Sequence, residues 1–507
     1  MSSLRRDAEL RWALGAGLAA LLLYAVQLPP VSGDKDGSEF TLALHALGVP
    51  HPTGYPLYTV FGHLFGLVLT AFGASWPTAA NAWSALGGAL AVALLVAVVR
   101  RLTPAAARPA ASLSVGVLFG LNPLWTYETT LAEVYAWHLA WCAGAVLLFV
   151  VAHERLATVK PLRLALVWGA WCGVGAAHHS TALLVAAPLS VALAVAARRA
   201  GRLHPKEVAA VVGAALGVMA LGDGFVVWRA LHPGAWQWPT LEPSWHSALA
   251  HLRGQAFTTY FGTFQPSPEQ TDFLSRWMWP TLSLAAVVAA VGALRGGPHA
   301  FVLRSLLAAV ALNLGFAFAY GVPDPSSYFL APLALALVVA LVFLGELAAA
   351  RRQPGPAVNL LIALVLAVVA WRWVALGLER RAVFVQFDAR LRSMWASVPF
   401  DEAFVVMPSD LATRLEEYQQ LLGEKPRVAV VNPLSLAAPA VRRRFVARHG
   451  FDPIEGLSQE PTAHGLPSPA QVEAWTQQVC ARLNAASPLP VVLFVPESDS
   501  VRLLRKR

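Results

Sequence analysis

Apolar runs that approach 20 residues recur along this 507-residue chain, at 12–28, 80–99, 208–227, 329–347 and 358–371. A helix of about 20 such residues crosses the ~30 Å hydrocarbon layer of a bilayer. The chain is 57% hydrophobic and 13% charged, whereas soluble domains carry about 25% charged residues. Lipid is therefore the expected solvent for most of it. Arg5, Arg6 and Arg11 before the first apolar run resemble a signal peptide, but Gln27-Leu28-Pro29-Pro30-Val31 lacks a small-residue cleavage site, so the run is kept as the first span.

The net charge of +9 raises the prospect of nucleic acid, yet the Lys and Arg residues cluster beside the ends of the apolar runs. About eleven spans are predicted, at 11–28, 79–99, 112–125, 135–152, 162–177, 180–197, 207–228, 277–294, 301–320, 328–348 and 357–376. On one side the connections carry seventeen Lys and Arg; the inter-helix loops of the other carry four, Lys35, Arg229, Arg253 and Arg276. The positive-inside rule then puts the N-terminus in the cytoplasm and the C-terminus outside. Parity forbids the apolar stretch 57–72 from crossing, so it is expected to lie along the outer interface or to be re-entrant.

The expected fold class is mainly α: a polytopic transmembrane helical domain over 1–376, followed by a small extracytoplasmic α/β domain over 377–507. In the latter, 404–407 reads as a buried strand, Pro408-Ser409-Asp410 as a turn with a helix N-cap, 411–422 as a helix, and 428–431 and 491–495 as strands. Cys142, Cys172 and Cys480 are too few for a disulfide framework, and the first two fall within apolar helices. No repeat of 20 to 50 residues is present.

Four polar clusters fall on the outer face of this topology. The first holds Asp34, Asp36 and Glu39, followed by His51-Pro52-Thr53-Gly54-Tyr55-Pro56-Leu57-Tyr58. Asp36 and Glu39 are three apart, so a helical turn places both carboxylates on one face, where they can act as a general base or hold a divalent metal. The alternative is a helix N-cap in a solvated loop, with Tyr55 and Tyr58 as interfacial aromatics. The second cluster runs from Trp125 to Tyr135 and includes Glu133, whose alternative role is to complement a helix N-terminus. The third is the turn holding His178 and His179, suited to phosphate, metal or helix capping. The fourth contains Asp324, which is equally suited to a turn.

At these residues the chain resembles a bacterial family of multi-pass membrane proteins related to the eukaryotic protein O-mannosyltransferases of the GT-C superfamily. The family's motifs are an acidic Gly-Asp-Ser-Gly-Glu-Phe loop and His-Pro-Pro-Gly-Tyr-Pro-Leu-Tyr, matched here by His51 to Tyr58 with Thr53 replacing one proline. Asn81, Ser84 and Ala85, the step Glu133-Val134-Tyr135-Ala136, the pair His178-His179, and Met407-Pro408-Ser409-Asp410 with 418–431 are similar to further family features. Two departures stand out. The acidic loop reads Asp36-Gly37-Ser38-Glu39, with Gly and Ser exchanged, and Lys425-Pro426-Arg427-Val428 stands where the family has Arg-Pro-Asp-Val.

The resemblance implies a GT-C-like glycosyltransferase that moves a hexose such as mannose from a polyprenyl-phosphate donor to a protein or glycan hydroxyl on the extracytoplasmic face. It implies a single inverting displacement with one acidic base in the first outer loop. Asp36 is the expected catalytic base, with Asp34 as competitor and Glu39 as orienting partner or metal ligand. His51, Tyr55, Glu133, Tyr135, His178, His179, Arg253 and Asp324 are the expected substrate-binding set, with the histidines and Arg253 as cations for the leaving phosphate. A divalent metal is the one cofactor left open, and the sequence does not fix whether the reaction needs it. The expected partners are the lipid-linked donor, the acceptor and the bilayer, with no nucleic acid. The competing class is a transporter or flippase of a lipid-linked substrate, which calls for ionisable residues near mid-membrane and paired broken helices.

Overall fold

The structure, a computed structural model, describes residues 3–34, 36–234, 236–262, 264, 266–322, 325–350, 356–457, 468–495 and 500–504. Helix α1 (Ser3–Gln27) is apolar and stops before Pro29-Pro30, which cannot continue its hydrogen-bond ladder. The first outer connection then forms α2 (Gly37–His45) and α3 (Pro56–Ala71). Next comes α4 (Trp76–Leu102), started by Ser75, whose Oγ accepts the Thr78 N–H at 3.3 Å.

The predicted span 112–125 is broken into α5 (Arg108–Leu118) and α6 (Pro123–Thr130). Asn122 makes the break: its Oδ1 accepts the Leu124 N–H at 3.0 Å and starts α6 afresh, with Pro123 in the first turn. The helices that follow are α7 (Tyr135–Arg155), α8 (Pro161–His178), α9 (Leu183–Arg199) and α10 (Pro205–Leu231). Then come α11 (Trp245–Leu252), α12 (Pro268–Trp277), α13 (Trp279–Arg295), α14 (Ala300–Ala319), α15 (Leu330–Ala350) and α16 (Pro356–Ala396).

Among the described residues eight helices are long and apolar enough to cross a membrane, or nine if α12 and α13, bent by 52°, count as one. The α8 helix, of 18 residues, and the shorter α5 occupy the remaining predicted positions. Glycines let α8 lie directly on α10: a Cβ at Gly169 would meet the Val211 carbonyl oxygen at 2.3 Å. The α15 helix is the buried centre of the bundle, whereas α16 turns Leu360, Leu361, Val365 and Trp371 outward, as a lipid-facing helix does. The 16-residue α3 does not run the length of α4. Near its start Tyr58 meets Ser84, and its end joins Trp76 through a short turn, so both ends stay beside the first third of α4.

The helix α16 runs unbroken through position 376, where the sequence suggested a domain boundary, and its last turns enter the C-terminal domain. There Leu391, Met394 and Trp395 pack with Leu415, Tyr418, Val405 and Phe494. The domain comprises β1 (Phe404–Val406), α17 (Ala412–Leu422), β2 (Ala429–Val431), α18 (Pro439–His449), α19 (Pro469–Ala486), β3 (Val491–Val495) and β4 (Ser500–Leu504). The sheet order is β2-β1-β3-β4, with β1 parallel to β2 and β3 and with β4 antiparallel at the edge. Its second face packs Phe404 and Val406 on Trp475, Val479 and Leu483, which makes the three expected strands the centre of an α/β layer fold.

Candidate active site

The acidic loop and α2 form one unit. Asp36 occupies the N-cap position of α2, but its carboxylate makes no capping hydrogen bond, and its side chain is 44% exposed. The N-cap alternative therefore does not use up this group. One turn later Glu39 is buried, and its Oε1 accepts from the His51 main-chain N–H at 2.6 Å and from His51 Nδ1 at 2.9 Å. Asp34 points elsewhere, accepting a hydrogen bond from the Tyr127 hydroxyl. The competitor for the role of base is thus engaged with α6.

His51 is held by its own segment. Val49 bridges Gln237, Trp238 N–H donates to the Val49 carbonyl at 2.7 Å, and His251 Nε2 donates to the Pro50 carbonyl at 2.9 Å. Gly54 and Tyr55 then turn the chain through positive φ of 89° and 39°, the second unusual for a residue with a Cβ and of the kind that collects at functional sites. That turn returns the Tyr55 hydroxyl to 3.0 Å from His51 Nε2. Burial disfavours the imidazolium, but the charges of Glu39 and Asp36 and the bond to Glu39 outweigh it and raise the His51 pKa to about 9. Asp36 Oδ2 lies 3.9 Å from His51 Nδ1, at the open end of this buried chain.

Tyr55 stacks on His179 at 5.6 Å, and Tyr135 and Tyr328 complete an aromatic wall beside it. His179 Nδ1 accepts from the Thr181 N–H at 3.3 Å and lies 2.7 Å from the Thr181 hydroxyl. An Nδ1 that accepts carries no proton, so the ring is neutral and Nε2 bears the N–H. That N–H is buried and has no partner among the described residues. His178 differs: its Nε2 donates to the Val134 carbonyl at 3.3 Å, which ties α8 to the start of α7. His179 therefore presents a neutral ring with an open Nε2–H, whereas His178 Nε2 is committed to the Val134 carbonyl.

The other expected residues divide. Tyr135 lines the wall, whereas Glu133 is buried behind it, with its main-chain N–H and carbonyl both bonded to Ser84 Oγ. Arg253 is exposed and its side chain makes no hydrogen bond or ion pair among the described residues, although its neighbours His251 and Gly254 lie against Pro50 and Thr53. Asp324 lies outside the described residues. Tyr55 and Tyr58 are buried rather than interfacial.

Two contributors went unrecognised. Asp410 was read as a helix N-cap, but the N-cap of α17 is Leu411 and no side chain caps it. The Asp410 carboxylate instead faces Asp36 and His51; desolvation and the Asp36 charge raise its pKa while His51 opposes them. Trp238, from the loop after α10, sets its ring edge-on to His51 at 5.9 Å. Both come from segments distant in sequence, without a local pattern to mark them.

Asp36, Glu39 and His51 can each direct one donor atom to a point where all three lie within 4.8 Å of one another, a set that fits a divalent cation.

Residues 36–201 match the family model described as the protein O-mannosyl-transferase TMEM260 N-terminal domain. Over this stretch the chain is similar to the protein O-mannosyltransferases. The matched stretch contains eight of the ten expected site residues, all but Arg253 and Asp324. The mouse protein O-mannosyl-transferase TMEM260 is 28% identical over 179 residues, covering 35% of this chain and only 25% of the mouse protein. The fold extends the likeness over nearly the whole chain. The Archaeoglobus fulgidus oligosaccharyltransferase tethered to an acceptor peptide superposes with a TM-score of 0.55 at 13% identity, covering 95% of this chain and 69% of that one. The same enzyme in complex with Zn and sulfate gives 0.52 at 14% identity, covering 94% and 67%. These superpositions show that the chain shares its fold with that archaeal enzyme.

Proposed function

We propose that this chain is a membrane glycosyltransferase that moves a hexose, mannose in the first instance, from a polyprenyl-phosphate donor to a protein or glycan hydroxyl on the extracytoplasmic face. The observation that carries the reading is Asp36: a carboxylate free of capping duty, half open, at the mouth of the buried Glu39–His51–Tyr55 chain. Its role is to accept the acceptor hydroxyl's proton as oxygen attacks the anomeric carbon and the sugar–phosphate bond breaks, in one inverting displacement. The relationship to protein O-mannosyltransferases supports the sugar and the acceptor class.

His51 as imidazolium keeps Glu39 and Asp36 close without leaving three carboxylates, Asp410 included, uncompensated. The neutral His179 N–H, with the tyrosine hydroxyls beside it, is the donor set for the phosphate as it departs. A divalent cation held by Asp36, Glu39 and His51 would supply charge neutralisation for that phosphate; the proton on His51 Nδ1 competes with it for the same atom. The aliphatic tail of the donor belongs in lipid beside the outward apolar helices, and the seventeen basic residues on the opposite face orient the site away from the cytoplasm.

The test is transfer of radiolabelled mannose from polyprenyl-phosphate mannose to a Ser/Thr peptide or a glycan by the purified full-length protein, with and without EDTA. Transport of the intact lipid across a vesicle without transfer would overturn the reading in favour of a flippase.

A further inference from the structure

Arg414, on α17, is 1% exposed in its side chain, and its donors go to three different parts of the molecule. Nε donates to Ser38 Oγ at 2.5 Å. Nη1 donates to Asp388 Oδ1 of α16 at 2.6 Å, an oxygen that also accepts the Tyr418 hydroxyl at 2.8 Å. Nη2 donates to the Ser32 carbonyl at 2.5 Å and to the Gly33 carbonyl. Glu417 lies 3.5 Å from Nε. The contacts in the first outer loop therefore bracket Asp36: two carbonyls precede it and one hydroxyl follows it.

Ordinary domain docking does not call for this arrangement. A loop of seven residues with two acids and two glycines has many conformations of similar energy, and something must select one. The planar guanidinium offers five N–H groups in a fixed fork, and here three bonds from it hold the main chain on both sides of Asp36 while a fourth anchors the fork to Asp388. Lysine, a point charge with no fork, cannot satisfy the same set. A misplacement of about 1 Å in a reacting group can lower a rate about 100-fold.

We propose that Arg414 is a positioning residue for the transfer reaction: it touches neither substrate nor Asp36, but fixes the turn that aims the Asp36 carboxylate, which makes the C-terminal domain a working part of the catalytic unit. The proposal rests on Asp36 being the base. It also accounts for Ser38 at the place where the related family has glycine, because the Ser38 hydroxyl is one of the groups Arg414 holds.

The experiment uses full-length protein, polyprenyl-phosphate mannose and a Ser/Thr peptide, comparing wild type with Arg414→Gln, Arg414→Lys, Ser38→Ala and the double variant Ser38→Ala/Arg414→Gln. Donor binding and thermal midpoint are measured for each. Arg414→Gln is expected to lower kcat about 100-fold with donor KM within about twofold. Arg414→Lys should restore the thermal midpoint but not kcat. Ser38→Ala should lower kcat several-fold alone and add nothing to Arg414→Gln, because both remove the same restraint.

Unchanged kcat in folded Arg414→Gln overturns the proposal. So does a loss that scales with the folded fraction and is recovered in Arg414→Lys. If Arg414→Gln does not fold, Ser38→Ala decides, and wild-type kcat in that variant overturns the proposal. Failure of the parent reading looks different: wild type would transfer no sugar, or Asp36→Asn would remain fully active.

Discussion

Glu39 Oε1 accepts two hydrogen bonds from His51, one from the main-chain N–H at 2.6 Å and one from ring Nδ1 at 2.9 Å. The residues are twelve apart, so this pair closes the outer connection upon itself and ties the acidic turn to the His51–Tyr55 turn. It also sets the pH behaviour. His51 in the folded protein titrates at about 9, above its ordinary 6.5. A raised histidine pKa contributes stability that is fully present below about pH 6.5 and is lost as pH rises through about 9. The thermal midpoint is therefore expected to fall between pH 7 and 10, and Glu39→Gln, which removes the closest partner, should flatten that fall. A wild-type midpoint indifferent to pH across this window would contradict the pair.

Asp36→Asn keeps the shape of the side chain and removes its ability to accept a proton. Transfer should fall by ~10²- to 10⁴-fold, the usual cost of losing a general base, while donor binding and thermal midpoint stay near wild type. Asp34→Asn should do the reverse, since its carboxylate is bonded to the Tyr127 hydroxyl: a lower midpoint with turnover largely kept. Exchange of these two outcomes would move the base to Asp34.

A periplasmic reporter fused after Arg507 should be active, and the same reporter fused before α1 should not. The basis is the uneven distribution of Lys and Arg, seventeen on one side against four in the inter-helix loops of the other. A cytoplasmic C-terminus would separate the site from the face on which the donor is expected.

Much of this arrangement was legible in the sequence because it is local. Hydropathy marked the apolar helices, three-residue spacing placed Asp36 and Glu39 one turn apart, and a run such as Phe404-Val405-Val406 has few alternatives to a buried strand. The break at Asn122-Pro123 escaped because the flanking residues are apolar enough to read as one span, and only the cap reveals two helices. Position 376 lies inside α16 for a related reason: composition changes there, but the helix meets no breaker until its far end at Ala396. Asp410, Trp238 and Arg414 reach the site by tertiary packing from segments about 190 to 380 residues away, and no local pattern encodes such a meeting. The histidine turn was legible in the sequence, whereas the tautomer of His179 is set by the Thr181 N–H and hydroxyl rather than by the residue type.

His178 and His179 are neighbours in sequence with separable duties, and single substitutions should show it. His179 presents a buried Nε2–H with no partner among the described residues, beside the Tyr55 and Tyr135 rings. A buried donor left unmatched costs roughly 1–3 kcal/mol, a cost that a phosphate oxygen in the site would remove. His179→Ala should therefore raise the donor KM or Kd about tenfold at temperatures where the variant stays folded, beyond any stability lost with its Thr181 bonds and Tyr55 stacking. His178→Ala should leave donor dependence unchanged and lower stability by about 0.5–1.5 kcal/mol, the net worth of its bond to the Val134 carbonyl. The neutral tautomer adds a further mark. If His179 acted as a cation, donor affinity would weaken as pH rose through the ordinary histidine range near 6.5; as a neutral donor it should give the same affinity at pH 6 and pH 7.5, where His51 stays charged. Isothermal titration or filter binding of polyprenyl-phosphate mannose to wild type and His179→Ala at those two pH values measures both points. A wild-type affinity that drops over that interval, with the drop absent in His179→Ala, would show that the imidazolium and not the neutral ring meets the phosphate.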